Sequence, residues 1–169
     1  SPALDSLYLY ISEAKISGSK WILVYDVGTN VRIDSIGPIP NIIYGLAVDE
    51  KYLYLAEGSP GDRITILDKS SKRTVLQFGG TGSGPGQFNF PYGIALDNTG
   101  NIYVTDYNDH RVQKFNSSGI YQSQFGSFGS GNGQFNLPVG IALDISGNIY
   151  VTENGNARVQ KFNSSGIYQ

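Results

Sequence analysis

A segment of 32 residues in this chain returns almost unchanged 47 residues later. Residues 91–122 and 138–169 are identical at 24 of 32 aligned positions. Such repeats are typical of chains built from structural units that bury their apolar faces only by stacking on one another. Five of the eight differences are adjacent, in Asp106–His110 against Glu153–Ala157. The repeat therefore predicts a constant scaffold that carries one variable loop in each unit.

Two more distant copies of the unit precede this pair. Residues 3–13 and 47–57 align with each other without gaps, and in every copy an Asp ends the first apolar run. These landmark aspartates are Asp5, Asp49, Asp97 and Asp144. A chain of 169 residues has the expected size of a single domain, so we predict one domain over residues 1–169. Its four units are expected at approximately 1–40, 41–90, 91–137 and 138–169.

Each unit has the pattern of four short strands, labelled A to D. In the third unit these are expected at residues 93–96, 102–105, 111–115 and 120–125. Apolar and polar residues alternate in strands B and C, and Gly- and Asn-rich turns connect the strands, which indicates antiparallel hairpins. Four such strands in a repeat of this length are typical of a β-propeller blade. We predict an all-β chain with essentially no helix. A β-solenoid is the weaker alternative, because its coils are shorter and its strands are parallel.

The third and fourth units also carry a known sequence pattern. Gly86–Phe115 contains Gly-Gln-Phe-Asn-x-Pro-x-Gly-Ile-Ala-Leu-Asp, then Gly-Asn-Ile-Tyr-Val-Thr-Asp, then Arg-Val-Gln-Lys-Phe, and Gly133–Phe162 follows it closely. This pattern resembles the NHL repeat, which residues 3–37 and 45–79 match more loosely. The resemblance implies an NHL-type β-propeller to which this chain contributes four four-stranded blades, as an open arc or as part of a larger, typically six-bladed ring. Function does not follow from it, because such propellers serve as protein-binding, RNA-binding and sensor domains and, in relatives, as lyases or hydrolases.

The composition argues against several classes of function. The formal net charge is −2 and no run of basic residues occurs, so the basic surface of a nucleic-acid binder is missing. The absence of Cys rules out disulfides and thiolate metal sites. A zinc site or a His-based triad would depend on His110, the only histidine. We therefore predict no catalytic residue, no metal and no cofactor.

The ends and the hydropathy of the chain lead to two further expectations. The sequence does not begin with Met, and repeat sequence starts almost at once, so we expect a piece of a longer protein. No apolar stretch has the length of a membrane-spanning segment, so none is predicted.

The loops between strands B and C are the best candidates for binding. In propeller geometry these B–C loops gather on one face with the D–A connections between units, and the A–B and C–D turns lie on the opposite face. The B–C loops differ in length and chemistry between units, whereas the opposite turns are stereotyped, so the variable face is the predicted binding face. The candidate residues there are Tyr92, Asp106, Tyr107, Asn108, Asp109, His110, Glu153, Asn154 and Asn156. A single histidine such as His110 is more often a packing residue than a catalyst.

Carboxylates recur at two positions of the unit. Strand B ends in Glu13, Glu57, Asp106 and Glu153, and a base follows across each loop, namely Lys20, Arg63, Arg111 and Arg158. A ring of free carboxylates would attract a cation, but buried acids usually have partners, so ion pairs within each hairpin are the favoured interpretation. The landmark aspartates precede turns, where Asp commonly accepts hydrogen bonds from the backbone of the turn itself.

Two other motifs recur in the twin units. The Gly-rich segments 79–89 and 126–136 lack the Lys-Ser/Thr ending of a phosphate-binding loop, so we predict D–A connections anchored by Phe88 and Phe135. Asn116 and Asn163 stand in Asn-x-Ser sequences on the C–D turns and are possible glycosylation sites.

Together these features favour a non-enzymatic interaction or scaffold module, extracellular or at the cell surface. It would bind a protein or glycan partner through its B–C loops, or self-assemble through open blade edges into a homo-oligomer or filament. One alternative is a fragment of a lyase or hydrolase whose catalytic residues lie in missing blades. An RNA-binding domain ranks last, because the variable loops are acidic or neutral.

Overall fold

The computed structural model describes residues 8–14 (main chain only), 20–26 and 28–169. Within that part of the chain all regular structure is β, arranged as four antiparallel sheets without a helix, which confirms the all-β prediction. The chain divides into two compact units, residues 1–42 and residues 43–169. Asp5, most of the first B–C loop and the side chain of Glu13 lie outside the described residues.

The first compact unit contains one three-stranded sheet. Its strands are β1 (Tyr8–Ala14), β2 (Lys20–Asp26) and β3 (Val31–Ile39), paired in the order β1-β2-β3. These correspond to strands B, C and D of the predicted first unit, whose strand A would precede the described residues. Asp26 stabilises the turn after β2 by accepting the backbone N–H of Thr29 at 2.8 Å.

The second compact unit contains three sheets whose strands pair in chain order. The second sheet consists of β4 (Ile43–Val48), β5 (Tyr52–Glu57), β6 (Arg63–Asp68) and β7 (Thr74–Gly79). The third sheet consists of β8 (Pro91–Leu96), β9 (Ile102–Asp106), β10 (Arg111–Phe115) and β11 (Tyr121–Phe125). The fourth sheet consists of β12 (Pro138–Leu143), β13 (Ile149–Glu153) and β14 (Arg158–Phe162). Four strands were expected in the fourth sheet. Only a single bridge, Phe162–Tyr168, occupies the fourth position, because the sequence ends two residues into the stretch that aligns with β11.

The A–B turns are held by the landmark aspartates, as predicted. In the third sheet, Asp97 Oδ1 accepts the backbone N–H groups of Thr99 and Asn101, each at 2.9 Å. Burial alone would raise the pKa of Asp97, but the bonds from Asn101 and Thr99 outweigh it, and the pKa lies below its ordinary value. Asp49 and Asp144 accept two turn amides in the same way. These carboxylates are therefore structural in the three sheets of the second compact unit.

The core of the second compact unit lies between neighbouring sheets. Phe88 packs with Phe115, Ile64 and Ile102 between the second and third sheets. Phe135 packs with Phe162 and Val112, among others, between the third and fourth. Phe88 and Phe135 are completely buried, which confirms that each anchors a D–A connection.

Glycine in strand A allows the first strands of neighbouring sheets to approach closely. A Cβ atom on Gly45 would collide with the carbonyl oxygen of Tyr92, and one on Gly93 would collide with that of Val139. Thr105 completes this contact, because its Oγ1 accepts the N–H of Gly93 at 2.7 Å and donates to the Val139 carbonyl at 2.8 Å. The sheets thus contact backbone to backbone at β4, β8 and β12, which fixes the loops at the ends of these strands.

Candidate binding face

The B–C loops and D–A connections of the third and fourth sheets lie side by side, as expected. The N–H groups of Tyr107 and Asn108 donate to the carbonyls of Phe90 and Asn89, both at 3.1 Å. The equivalent bonds in the fourth sheet run from Asn154 and Gly155 to Leu137 and Asn136, both at 3.0 Å. We call the surface formed by residues 80–90, 106–110, 126–137 and 153–157 the loop face. Its loops are fixed to one another by backbone hydrogen bonds.

The carboxylates at the ends of the B strands form ion pairs beneath this face. Arg111 Nε lies 2.9 Å from Asp106 Oδ2, and Arg158 Nε lies 2.6 Å from Glu153 Oε1. In the second sheet Arg63 Nε lies 3.2 Å from Glu57 Oε2. All three carboxylates are buried. The favoured ion-pair interpretation is therefore confirmed for the three sheets in which both side chains are described.

In the third and fourth sheets the ion pair is the centre of a hydrogen-bond network that joins a D–A connection to strand C. The guanidinium of Arg111 donates to the carbonyls of Gly84 and Gln87 at 3.1 and 3.0 Å. Gln113, which is fully buried, donates to the Gln87 carbonyl at 2.7 Å and to Asp106 at 3.2 Å. Its side-chain oxygen accepts the Gly86 N–H at 2.9 Å. The network therefore makes the connection rigid from below.

The buried glutamines of these networks were not anticipated from the sequence. Gln160 repeats the role of Gln113 in the fourth sheet, donating to the Gln134 carbonyl at 2.6 Å and to Glu153 at 2.8 Å. The signal in the sequence was a Gln that strand C keeps in both copies, two residues before its last Phe. An uncharged side chain with both donor and acceptor groups can hydrogen-bond to the N–H and carbonyl groups of a loop.

The pKa values of Asp106 and Glu153 are nevertheless shifted in opposite directions. Burial raises the pKa of Asp106 to about 6, and the negative charge of the neighbouring Asp109 adds to the increase. The hydrogen bonds from Asn89 and Arg111 lower the pKa but do not outweigh burial. Burial would also raise the pKa of Glu153, but the bonds from Arg158, Asn136, Asn156 and Gln160 outweigh it and lower the pKa. One cause is local charge. Arg111 pairs with two carboxylates, those of Asp106 and Asp109. In the fourth sheet the position of Asp109 is occupied by the neutral Asn156.

His110 joins the third sheet to the connection that enters the fourth. Its Nδ1 accepts the N–H of Leu137 at 3.1 Å, and its ring centroid lies 4.8 Å from that of Phe128. Because Nδ1 accepts, a neutral ring carries its proton on Nε2. His110 therefore has the packing role that the sequence favoured, in contact with Leu137 and Phe128.

Two of the predicted residues, Tyr92 and Tyr107, belong to a cluster of four aromatic rings. The Tyr92 and Tyr107 centroids are 5.7 Å apart, and Phe90 lies 5.9 Å from Tyr107. Tyr44 closes the cluster at 4.5 Å from Phe90 and 5.1 Å from Tyr92. All four rings are partly exposed and lie outside the buried cores. We call these residues, Tyr44, Phe90, Tyr92 and Tyr107, the aromatic patch.

Tyr44 and Phe90 were missed because each looked like an ordinary strand or connection residue. Tyr44 and Tyr92 occupy the same position, the second residue of strands β4 and β8. Gly58, in the second B–C loop, is buried, and a Cβ there would lie 2.5 Å from the Tyr44 ring. The signal in the sequence was therefore a Tyr at the same position of strands β4 and β8, with a glycine, Gly58, opposite the first of them.

Exposed amides flank the aromatic patch. Asn108 and Asn154 are exposed, and Asn154 Nδ2 lies 3.5 Å from the Tyr107 hydroxyl. Asn156 is instead bonded inward, to Glu153 at 2.6 Å and to the Gly129 carbonyl at 2.9 Å. Asp109 likewise pairs with Arg111 at 3.2 Å. The predicted residues thus divide into an accessible set and a bracing set. The accessible residues are Tyr92, Tyr107, Asn108 and Asn154, and the bracing residues are Asp106, Asp109, His110, Glu153 and Asn156.

The opposite face carries the two Asn-x-Ser sequences. Asn116 Oδ1 accepts the N–H groups of Ser118 and Ile120 at 3.0 and 2.9 Å. Asn163 does the same with Ser165 and Ile167, both at 3.0 Å. Across the described ranges, His, Cys, Asp and Glu form no group of three or more that could hold a metal ion. The same ranges contain no helix that is long and apolar enough to cross a membrane.

A family model independently identifies the twin units. The model of the NHL repeat matches residues 88–115 and 135–162. This chain contains NHL repeats. The matched segments run from the buried Phe88 and Phe135 to the ends of β10 and β14, so each NHL repeat spans a D–A connection and strands A to C.

Two curated proteins match part of this chain, and one of them is named for the NHL repeat. The human NHL repeat-containing protein 3 is 31% identical over 64 residues, which cover 37% of this chain and 18% of that protein. Protein lin-41 of Caenorhabditis elegans is 39% identical over 54 residues, which cover 32% of this chain and 5% of that protein. The chain therefore matches less than a fifth of the length of either relative.

Solved structures confirm the β-propeller type of fold. A catalytically inactive virginiamycin B lyase from Staphylococcus aureus, determined with quinupristin, aligns with a TM-score of 0.65 and 19% identity over all of this chain and 56% of that one. A streptogramin B lyase structure aligns with a TM-score of 0.67 and 19% identity, over all of this chain and 55% of that one. At this identity the likeness concerns the fold alone.

Proposed function

We propose that this chain is part of a non-enzymatic interaction module that binds a partner on its loop face. The observation that carries the proposal is where the twin NHL repeats differ. Six of their eight differences in the third unit, Tyr92 and the five residues Asp106–His110, belong to the loop face or the aromatic patch. The remaining two, Asn98 and Thr99, are exposed in the A–B turn. Variation concentrated on one face of a constant scaffold is the pattern of a recognition surface.

The chemistry of the aromatic patch supports binding. Tyrosine rings offer a large contact area with few rotatable bonds, and Tyr is enriched among the residues that dominate binding energy. Asn, Ser and Gly around such rings supply adaptable hydrogen bonds, the combination found in antibody loops. The hydrogen bonds of Arg111 and Gln113 hold the D–A connection beneath the patch. The conformational entropy of this connection is therefore lost when the chain folds and not when a partner binds.

The likeness to lyases supplies the alternative of a propeller enzyme. The two solved neighbours are named as lyases, of virginiamycin B and streptogramin B. In this chain the only histidine accepts a hydrogen bond from Leu137, a bracing role. We therefore expect quinupristin to be recovered intact, by mass spectrometry, after incubation with the chain. Turnover that is lost in the variant His110→Ala would contradict the non-enzymatic proposal.

The binding proposal is tested by exchanging residues between the twin repeats. The face variant Tyr92→Val/Tyr107→Asn imports residues that the fourth sheet already accommodates, and the control variant Asn98→Ile/Thr99→Ser imports the two differences in the A–B turn. Immobilised wild-type protein and both variants are used to capture secreted proteins and glycans, with quantitative mass spectrometry of what is retained. At least one species is expected on the wild type and the control but not on the face variant. If the face variant retains everything, the loop face is not the binding surface.

We also propose that the module works outside the cell or at its surface. The support is the Asn-x-Ser pair on exposed C–D turns, opposite the loop face, where glycans would leave the aromatic patch accessible. Expression through the secretory pathway of a glycosylating host should give a glycosidase-sensitive mass increase that Asn116→Gln and Asn163→Gln each reduce. An unmodified secreted product would remove this support.

Self-assembly through blade edges belongs to the same proposal. The support is exposed apolar surface on the fourth sheet, where Val159 is 61% exposed. Light scattering after size exclusion should show a defined dimer or larger species, and a monomer over the accessible concentration range would contradict assembly.

A further inference from the structure

We infer that a cleft between the second and third sheets binds a lysine side chain of a partner protein. The cleft is a cavity of about 450 Å³ on the side of the molecule that carries the A–B and C–D turns, away from the loop face. The A–B and C–D turns of the third sheet form one wall. The wall on the second sheet consists of Asp49, Tyr52, Tyr54, Ile66, Val75 and Leu76. We call this cavity the intersheet cleft.

In the third and fourth sheets, a lysine of the chain itself occupies the matching place. Lys114 Nζ lies 5.0 Å from the ring centroid of Tyr103, and Lys161 Nζ lies 5.8 Å from that of Tyr150. Each lysine is the cross-strand partner of its tyrosine in the pairing of strands B and C. The repeat therefore has a place for a lysine side chain beside the tyrosine of strand B.

The second sheet keeps this tyrosine but not the lysine. Tyr54 is the counterpart of Tyr103, since the hydroxyl of each donates to the landmark aspartate of its own sheet. The cross-strand partner of Tyr54 is Ile66, which is shorter than lysine and uncharged. The place of the lysine is therefore not filled from within the second sheet. The intersheet cleft lies there, because Tyr54 and Ile66 both line it.

The second-sheet wall suits the methylene groups of a lysine. Val75 and Leu76 stand where the third sheet has Gln122 and Ser123, as the pairing of strands C and D shows. Val75 is 52% exposed although it is apolar. Lysine side chains commonly lay their methylene groups along apolar surface and keep the ammonium group in polar surroundings. A lysine in the cleft would therefore remove apolar area of Val75 and Leu76 from water.

The polar end of the cleft suits the ammonium group. The Tyr54 hydroxyl gives its proton to Asp49 Oδ2 at 2.6 Å, which leaves the lone pairs of the hydroxyl oxygen available to a donor. Burial and the bond to Asp49 raise the pKa of Tyr54. Burial also raises the pKa of Tyr103, but there the ammonium of Lys114 acts in the opposite direction. The nearby Lys69 donates to the main-chain carbonyl of Asp49 at 2.8 Å and does not line the cleft.

Exchanges between the sheets supply matched variants. Ile66→Lys gives the second sheet the lysine of the third and should fill the intersheet cleft from within. Lys114→Ile should open a second cleft, between the third and fourth sheets. Lys161→Ile is the control, because this side chain is exposed and the described part of the chain provides no second wall beside it. Unchanged circular dichroism and melting temperature would verify that each variant is folded.

The test is a titration of the full chain with Nα-acetyl-lysine methylamide, followed by two-dimensional amide NMR. The norleucine analogue has the same carbon side chain without the ammonium group and serves as the control ligand. We expect saturable shifts of the amide signals of Gly100, Ser117 and Ser118 with the lysine compound. The norleucine analogue should bind about tenfold more weakly, because a desolvated cation beside a tyrosine is lost.

The variants locate the binding. Ile66→Lys should abolish the shifts, and Lys161→Ile should leave them unchanged. Lys114→Ile should add shifts in the turns of the fourth sheet, at Gly147 and Ser164, which correspond to Gly100 and Ser117.

Three results would overturn the inference. Equal binding of the two ligands would assign the cleft to an apolar group, and shifts that persist in Ile66→Lys would place the ligand elsewhere. The third is the absence of saturable shifts up to the solubility limit of the lysine compound. Because the intersheet cleft is separate from the loop face, the proposed function and this inference stand or fall independently.

Discussion

The third and fourth sheets have nearly the same sequence but differ in what their residues contact. Thr105 and Val112 are fully buried against the fourth sheet. Their counterparts Thr152 and Val159 are exposed. The same residue in the same fold therefore stabilises the protein only where a neighbouring sheet covers it. This pairing makes each repeat the control for the other, because a substitution can be made twice in one chain with local sequence held constant.

The largest difference is expected for the two arginines. Arg111→Ala leaves the fully buried Asp106 without its cation, and breaking a buried pair costs about 3–5 kcal/mol. The side chain of Arg158 is 27% exposed against 7% for Arg111, so water can partly replace it, and Arg158→Ala should cost about half as much. Urea unfolding of the two variants measures both values. Equal costs would mean that burial of the pair does not decide its contribution.

A second contrast concerns the glycines of strand A. Gly93→Ala forces a methyl group against the Val139 carbonyl of the next sheet, and such overpacking costs about 1–3 kcal/mol. At Gly140 the nearest atom to a Cβ is Thr152 Oγ1, at 2.7 Å, on an exposed side chain that can turn away. Gly140→Ala should therefore be close to neutral. Melting temperatures of the two variants test this, and a comparable loss at both sites would show that the close sheet contact is not the reason for the glycine.

A smaller difference is expected at the threonines that support these glycines. Thr105→Val leaves the partly buried Gly93 N–H and Val139 carbonyl without their partner, at a cost of about 1–2 kcal/mol. Thr152 also accepts an N–H, from Gly140 at 2.8 Å, but the bond is exposed and water can replace it. Thr152→Val should change the free energy of unfolding by less than about 0.5 kcal/mol. A larger loss at Thr152 would indicate that its exposed face is covered in solution.

These contrasts also show what the sequence could and could not predict. Strand C was placed at its observed bounds, Arg111–Phe115, because alternation and flanking turns define it locally. The Asp106–Arg111 ion pair could be predicted for the same reason, since the two residues flank one short loop. The aromatic patch was only half anticipated, because Tyr44 reaches Tyr92 through stacking of two sheets, which no local pattern encodes. Burial of Thr105 but not Thr152 likewise depends on the neighbour rather than on the repeat.

The subtlest contrast is in the response to pH. The pKa of Asp106 is raised to about 6 from 3.8, so its contribution to stability is complete below pH 3.8 and is lost as the pH rises towards 6. The lowered pKa of Glu153 has the opposite effect, since its contribution is present above pH 4.5 and is lost as the pH falls through its folded value. Asp109→Asn gives the third sheet the neutral neighbour that Asn156 provides in the fourth. It should lower the pKa of Asp106 and flatten the decline in unfolding free energy between pH 4 and 6, with Asn156→Asp producing the reverse change at Glu153. Urea midpoints across this range measure both variants, and an unchanged profile in Asp109→Asn would show that burial alone, without the second carboxylate, sets the titration of Asp106.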